Sequence, residues 1–292
     1  MNIKRTRKLW LGVGAATVIG SGRIERVASE TPGIAAEKVV QAAPGVGKSE
    51  PSVQAGHGVS GRNLRRGGHG GEGRDNSLHP RIQFFKNISL IRGHLLVGGE
   101  LVAAGLWDDA LPHFHHPIEE LYSGLAPRLK DHGLRPFDNA LKALAQTVQA
   151  KNSTAYANAL RTVTLRLTEV EQTMTKRIVD DPVQTRTATI LAVLNSAAAE
   201  YKDAINGDQI VKPIEYQDSR GFVFYAEQML KDAAEDLGKK DDAAFIAIRD
   251  AIAALKSAWP APVPPRTSIA DPEEVSSAVA RIATAAAPLL RN

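Results

Sequence analysis

Three side chains suited to metal coordination lie in the stretch LPHFHHPIEELY, which spans Leu111–Tyr122. His113, His116 and Glu120 follow one another at spacings of i, i+3 and i+7. Because each residue of an α-helix turns by about 100°, these three positions share one face. Imidazole and carboxylate groups together are common ligands of zinc and iron. The spacing therefore predicts that this face binds a metal ion.

A second interpretation of the same stretch needs no metal. Pro117 fits the first position of a helix, which would make His116 the residue before it and bend the stripe there. Glu119 and Glu120 would then lie at a helix N-terminus, where carboxylates are favoured by the helix dipole alone. Glu119 also offers a different H-x-x-E pairing with His116, whereas His115 points elsewhere and is expected in solvent.

A histidine in the preceding segment, IRGHLLVGGELVAAG, is a further candidate ligand. This segment predicts a buried helix in which His94, Gly98 and Leu101 share a face. Glycine inside a helix costs about 1 kcal/mol relative to alanine, so Gly93 and Gly98 indicate a close neighbouring helix or room for a ligand. A lone histidine on an apolar face is otherwise a hydrogen-bonded core residue, and for His94 both readings stay open.

Two carboxylates in a later segment, PIEYQDSRGFVFYAEQML, could complete the site. Glu215, Asp218 and Phe222 share one helix face. Carboxylate oxygens suit hard cations, so we predict that Glu215 and Asp218 join the histidines. The alternative is that they are acids at a helix start beside a core phenylalanine.

Composition excludes several classes of function. The chain of 292 residues has no cysteine, so disulfides, thiolate metal sites and cysteine nucleophiles are absent. Residues 1–80 carry 12 Lys/Arg against 6 Asp/Glu, whereas the remaining 212 carry 24 against 26. The basic charge therefore belongs to the N-terminal part, and with 5% aromatic residues no nucleic-acid partner is expected. No small-molecule substrate is evident.

The elements that must position these residues are helices. From Ile82 onward the chain is rich in helix-forming residues, and apolar positions recur at three and four residues. We predict an all-α fold, an antiparallel helical bundle over residues 81–292 with a Pro-rich connector at 259–267 before the last helix. The predicted helices are 83–105, 107–131, 137–150, 153–177, 183–206, 213–237, 240–257 and 272–290.

The N-terminal part predicts export. Residues 1–29 have a basic start and a short apolar run, which is typical of a signal peptide; an uncleaved membrane anchor is the alternative. Residues 30–80 are rich in Gly, Pro and charge, so we predict a disordered linker. His57 and His69 in it could hold metal weakly. A periplasmic location is expected.

Two segments resemble known families. RGHLLVGGELVAAG with HFHHPIEELYSGLAP resembles exported proteobacterial proteins that carry R-G-H-L and H-x-x-H-P-x-x-E-L-Y motifs. AEYKDAINGDQIVKPIEYQDSRGFVFYAEQML, followed by ALKSAWPAPVPP, is similar to the helical periplasmic segment fused to Ftr-type iron permeases. HPIE also resembles the H-x-x-E of imelysin-like iron-regulated proteins, although His115 replaces the glycine of that motif.

These resemblances imply iron or other metal handling, with ligands at the motif positions His94, His113, His116, Glu120, Glu215 and Asp218. The predicted function is an exported, non-enzymatic protein that binds a metal ion, with iron favoured over copper or zinc, and that serves a membrane metal transporter. The alternative is a helical scaffold without metal. A metal-dependent hydrolase is a poorer reading, because H-E-x-x-H, G-x-S-x-G and paired E-x-x-H motifs are absent from the sequence.

Overall fold

The computed structural model describes residues 77–291. The predicted signal peptide (1–29), nearly all of the predicted linker (30–80), and His57 and His69 lie outside the described residues. Within the described range, no helix is long and apolar enough to span a membrane.

The described chain is almost entirely helical, which confirms the predicted all-α fold. One hairpin of two-residue strands, Ile205–Asn206 (β1) and Gln209–Ile210 (β2), is added to the helices. The helices are α1 (Pro80–Ala103), α2 (Trp107–His116), a π-helical turn (Pro117–Leu121), α3 (Tyr122–Asp131), α4 (Asp138–Gln149), α5 (Ser153–Ile178), α6 (Pro182–Ala204), α7 (Pro213–Asp232), α8 (Ala234–Leu255), a 3₁₀ turn (Lys256–Ala258) and α9 (Pro272–Leu290).

Local capping explains several of the helix starts. The Asp181 carboxylate accepts a hydrogen bond from the Gln184 N–H at 2.9 Å, with Pro182 as the first helical residue of α6. Asp271 and Glu274 form a reciprocal capping box at the start of α9. Such signals lie within four residues of each other, which is why the predicted and observed starts differ by only a few residues.

The last four helices form a closed four-helix arrangement. α6 packs against α7 and α9, and α8 packs against α9 and α7. The Ser219 hydroxyl donates to the Ala197 carbonyl, and the Tyr216 ring lies 6.4 Å from that of Tyr201. Ala197 and Tyr201 of α6 thus face Ser219 and Tyr216 of α7, in opposite order along the two helices. The two helices are therefore antiparallel, as predicted.

The first helices cover one side of this arrangement. α1 packs against both α6 and α7, α2 packs against α1 and α4, and α4 packs against α5. α2 also reaches α7. The histidine-bearing helices α1 and α2 therefore meet the helix that carries Glu215 and Asp218.

The predicted break between the helices at 213–237 and 240–257 is misplaced. α7 ends at Asp232, and the next interruption is at Asp241, where the backbone has φ −159° and ψ 100°. The Asp241 carboxylate accepts from the Ala244 N–H at 2.9 Å, so it caps the helix that follows. The predicted boundary at 238–239 is replaced by the end of α7 at Asp232 and by this cap at Asp241.

The hairpin is a feature that hydrophobic periodicity did not predict. Gly207 has φ +66° and takes the first position of its two-residue turn, a conformation that glycine adopts at little cost. The Pro-rich connector then lies beside the hairpin: the Ser268 N–H donates to the Asp208 carbonyl at 2.8 Å, and the Ile210 N–H to the Arg266 carbonyl at 3.3 Å.

Candidate metal centre

The site is built where α1 and α7 come into backbone contact. A Cβ added to Gly221 would lie 2.4 Å from the Gly93 carbonyl oxygen, and one added to Gly93 would lie 2.6 Å from the Phe222 ring. Such distances leave no room for a side chain, so glycine at both positions permits the crossing. Of the two explanations for Gly93, a close neighbouring helix or room for a ligand, the structure shows the close helix.

A similar contact joins α1 to α2. A Cβ added to Gly98 would lie 2.7 Å from Cε2 of Phe114 and 3.3 Å from Cβ of His113. Gly98 is one helical turn beyond His94. The two contacts hold α2 and α7 tightly against α1 on either side of the His94 side chain.

Three imidazoles converge on one carboxylate at this crossing. Nδ1 of His94 and Nδ1 of His113 each lie 2.7 Å from Oδ1 of Asp218. Nδ1 of His116 lies 3.1 Å from Oδ2 of the same residue. The cluster thus combines one side chain from α1, two from α2 and one from α7.

The cluster is almost completely removed from solvent. His94 and His113 are 0% exposed, Asp218 is 1% exposed and His116 is 8% exposed. Buried ionisable groups are costly unless they are paired, and here each imidazole is paired with the carboxylate. The Phe222 ring meets the His94 ring edge to face at 5.0 Å and closes one side.

The electrostatics of the cluster favour an ionised carboxylate. Burial alone would raise the pKa of Asp218, but the positive charges of His94 and His113 and the hydrogen bonds from His113 and His116 hold that pKa well below its usual value. Burial would lower the pKa of His116, but the hydrogen bond to Asp218, together with the charges of Asp218 and Glu120, raises it. The Asp218 carboxylate is therefore a buried anion that attracts protons or cations.

Gln217 is a member of the site that sequence reasoning missed. Its Oε1 lies 3.0 Å from Nε2 of His113, and the residue is 4% exposed. His113 therefore has an oxygen on each side, and a neutral ring can donate to only one of them. Either the ring is protonated on both nitrogens, or the Gln217 amide is turned to donate, or a cation lies between Nδ1 and Asp218.

The structure brings together four of the six predicted ligands: His94, His113, His116 and Asp218. Glu120 is half-buried, and its charge acts on His116. Glu215 is buried one turn before Asp218, with its Oε1 3.7 Å from Nζ of Lys212.

The turn after His116 differs from the predicted one. His116 has helical dihedrals (φ −50°, ψ −44°), so it is not a cap, and Pro117 begins a π-helical turn instead of a new α-helix. Pro117 has no N–H to donate to the His113 carbonyl, and the Tyr122 N–H bonds to the Pro117 carbonyl five residues back. The predicted bend after His116 is thus a change of helix type.

An ion pair fixes the relative position of α1 and α7 beside the cluster. The Arg220 guanidinium donates to both carboxylate oxygens of Glu100, at 2.8 and 3.1 Å, and to the Trp259 carbonyl. Arg220 lies two residues after Asp218 and is 6% exposed. A planar, bidentate pair of this kind restrains both helices more strongly than a single contact would.

The donor set fits a cation. His94, His113 and Asp218 each offer a ligand atom, and these atoms lie within 4.8 Å of one another. A tetrahedral ion with bonds of about 2.1 Å needs donors about 3.4 Å apart, so donors as far apart as 4.8 Å would have to close by about 1.4 Å. Three imidazoles and one carboxylate are ligands that iron, zinc, copper(II) and nickel accept.

Comparisons with known proteins identify one part of the chain. No curated protein and no solved structure matches the chain. The family model described as the iron permease-associated 4-helix bundle domain matches residues 180–291, which contain α6 to α9. Asp218 and Gln217 lie inside this range, whereas His94, His113 and His116 precede it. The resemblance of the second half to the segment fused to Ftr-type permeases is confirmed: residues 180–291 match the four-helix bundle domain that is associated with iron permeases.

Proposed function

We propose that this protein is an exported, non-enzymatic metal-binding protein that serves a membrane iron transporter. The ion is held by His94, His113, His116 and Asp218, with Glu120 on the outer side of His116. Iron is the favoured ion, as a cargo for transport. The proposed location is the periplasm.

The convergence of three Nδ1 atoms on one buried carboxylate carries this proposal. A core aspartate needs hydrogen-bond donors, but backbone N–H groups or a single arginine would satisfy it. Three imidazoles from two neighbouring helices are instead a set that can release its protons and take up a cation. The match of residues 180–291 to a domain associated with iron permeases supports the choice of cargo and of partner.

Metal titration of the purified full-length protein tests the proposal. The protein is stripped with a chelator, and its melting temperature is followed with Fe(II) under anaerobic conditions, and with Zn(II) and Co(II). A bound ion at 100 times its Kd stabilises the fold by about 2.7 kcal/mol. For a helical domain of this size that corresponds to a rise of about 5–10 °C.

Matched variants separate the cluster from general histidine binding. Asp218→Asn and His116→Ala should abolish most of the rise. His115→Ala is the control, because His115 is the neighbour of His116 on the same helix but is turned by about 100° from it. Equal responses of His116→Ala and His115→Ala would refute the proposed ligands, and no response of the unaltered protein to any ion would refute metal binding.

The link to a transporter needs a separate measurement. Cells that express an iron permease together with this protein should accumulate radioactive iron faster than cells with the permease alone. Asp218→Asn should remove the difference while the protein is still exported in equal amount. If the protein binds metal but does not change the rate of iron uptake, the transport role is refuted.

A helical scaffold is the second candidate function, and one observation favours it. The N···O distances of 2.7–3.1 Å around Asp218 are those of hydrogen bonds, so protons alone can satisfy the cluster. In this reading His113 donates to Asp218 and accepts from a turned Gln217 amide. The scaffold then melts at the same temperature with and without metal, which the same titration measures.

A further inference from the structure

We propose that the cluster selects divalent over trivalent cations, so that the iron it binds is ferrous. This inference rests on the proposed metal-binding function and names the class of ion that the site takes.

The charge of the ligand set carries the inference. Asp218 is the carboxylate that touches all three imidazoles, and histidine binds metal ions as a neutral ring. The four ligands together therefore carry one negative charge. A divalent ion leaves a net charge of +1 in the cluster, and a trivalent ion leaves +2.

Burial makes that difference large. His94 and His113 are 0% exposed and Asp218 is 1% exposed, so little water can screen the remaining charge. The free-energy cost of placing a charge in a medium of low dielectric constant grows with the square of the charge. The desolvation penalty of the trivalent complex is therefore about four times that of the divalent one.

Neighbouring oxygen donors offset only part of this penalty. The Tyr216 hydroxyl donates to the Ala261 carbonyl at 3.3 Å, so its phenol oxygen is engaged away from the cluster. Glu215 lies 3.7 Å from the ammonium group of Lys212, whose positive charge opposes its own. Glu120 adds its negative charge beside His116, at the most exposed edge of the cluster, and offsets part of the penalty there.

The chemistry of the donors points the same way. Trivalent iron is a hard cation that prefers oxygen ligands, whereas imidazole nitrogen suits borderline divalent ions. Three of the four ligand atoms are nitrogen. Charge and donor type thus both favour Fe(II) over Fe(III).

Redox-inert ions separate the two charge classes without interference from iron oxidation. Stripped full-length protein is titrated with Co(II) and Zn(II) as divalent probes and with Ga(III) citrate as a trivalent probe, and the melting temperature and the bound metal are measured. We expect Co(II) and Zn(II) to bind and raise the melting temperature, and Ga(III) to do neither. If Ga(III) binds as well as Co(II) or better, the inference is overturned while metal binding stands. If no ion binds, the proposed function fails with it.

A charge swap at the edge of the cluster sharpens the test. His116→Asp replaces a neutral ligand with a second carboxylate, and we expect the affinity ratio of Ga(III) to Co(II) to rise by at least about tenfold, or about 1.4 kcal/mol. His115→Asp adds the same charge one residue away and should leave the ratio within about twofold. Equal changes in both variants would overturn the inference. Should His116→Asp not fold, the ratio measured on the unaltered protein decides alone.

Discussion

Replacing Gly221 with alanine should destabilise the protein at the contact that forms the site. The new Cβ would lie 2.4 Å from the Gly93 carbonyl oxygen, 3.0 Å from the Gly93 carbonyl carbon and 3.1 Å from Cγ1 of Val97. Two of these atoms belong to the backbone of α1, so they cannot rotate away. Relief requires that α1 and α7 move apart.

The expected loss of folding stability follows from two opposing contributions. Alanine is favoured over glycine inside a helix by about 1 kcal/mol. Overpacking in a tight core costs typically about 1–3 kcal/mol and occasionally more. Because the contact is with backbone, we expect a cost at or above the top of that range, which leaves a net loss of about 2 kcal/mol. For a fold of this size the melting temperature should fall by about 4–8 °C.

Gly99→Ala is the matched control on α1. Its Cβ would have the Tyr156 hydroxyl at 3.4 Å as its nearest neighbour, which is ordinary contact. The helix-propensity gain should survive, and the melting temperature should rise by up to about 2–4 °C. Far-UV circular dichroism of the metal-free proteins gives both values. A Gly221→Ala protein as stable as the unaltered one, or a Gly99→Ala protein equally destabilised, would refute the reasoning.

Three further predictions concern single side chains. Gln217→Leu should weaken Zn(II) binding by about 10–100-fold, because Nε2 of His113 loses the oxygen that orients the ring, and Gln217→Glu should restore it; calorimetric titration measures both. Asp181→Ala should cost about 1 kcal/mol through the lost cap of α6. The hydrogen bond from the Gln184 N–H lowers the pKa of Asp181. The stabilisation by this cap is therefore present above the unfolded-state pKa of about 3.9 and is lost as the pH falls through the lower folded-state pKa. Urea unfolding at pH 6 and at pH 2.5 should show that the difference in stability between the unaltered protein and Asp181→Ala shrinks at the lower pH. A chelator should lower the melting temperature of the metal-loaded unaltered protein to that of the metal-free protein. The same chelator should leave the melting temperature of Asp218→Asn unchanged.

The helices were predictable because their signals are local. Asp181 and Asp271 each precede a proline at a helix start, and those four residues decide the boundary wherever the helix later packs. The predicted break after α7 was misplaced although its signal is also local. The sequence does not distinguish a cap at Asp241 from a loop, since an aspartate that starts a helix and one in a loop look alike until the N–H it bonds is known.

The partners in the cluster were only partly predictable. His94 and the histidines of α2 lie on consecutive helices joined by a short connection, so their meeting follows from chain order. The choice among carboxylates depends on how α7 is rotated against α1, and one residue changes the direction of a side chain by about 100°. Gly221 sets that rotation by touching Gly93, a long-range contact. The same rotation turns Gln217 toward His113, and no motif marks it.

The position of the cluster relative to the matched domain has a physical consequence. Residues 180–291 supply Asp218 but none of the three imidazoles, which all come from α1 and α2. Without those helices, a carboxylate that is now 1% exposed would lose its three partners, and Gly221 would face no backbone. A glycine in mid-helix weakens a bundle taken alone. This cost is offset once α1 packs at Gly93, so the contact between Gly93 and Gly221 suits this bundle to receive an additional helix, and the proposed cation site is the product of that packing.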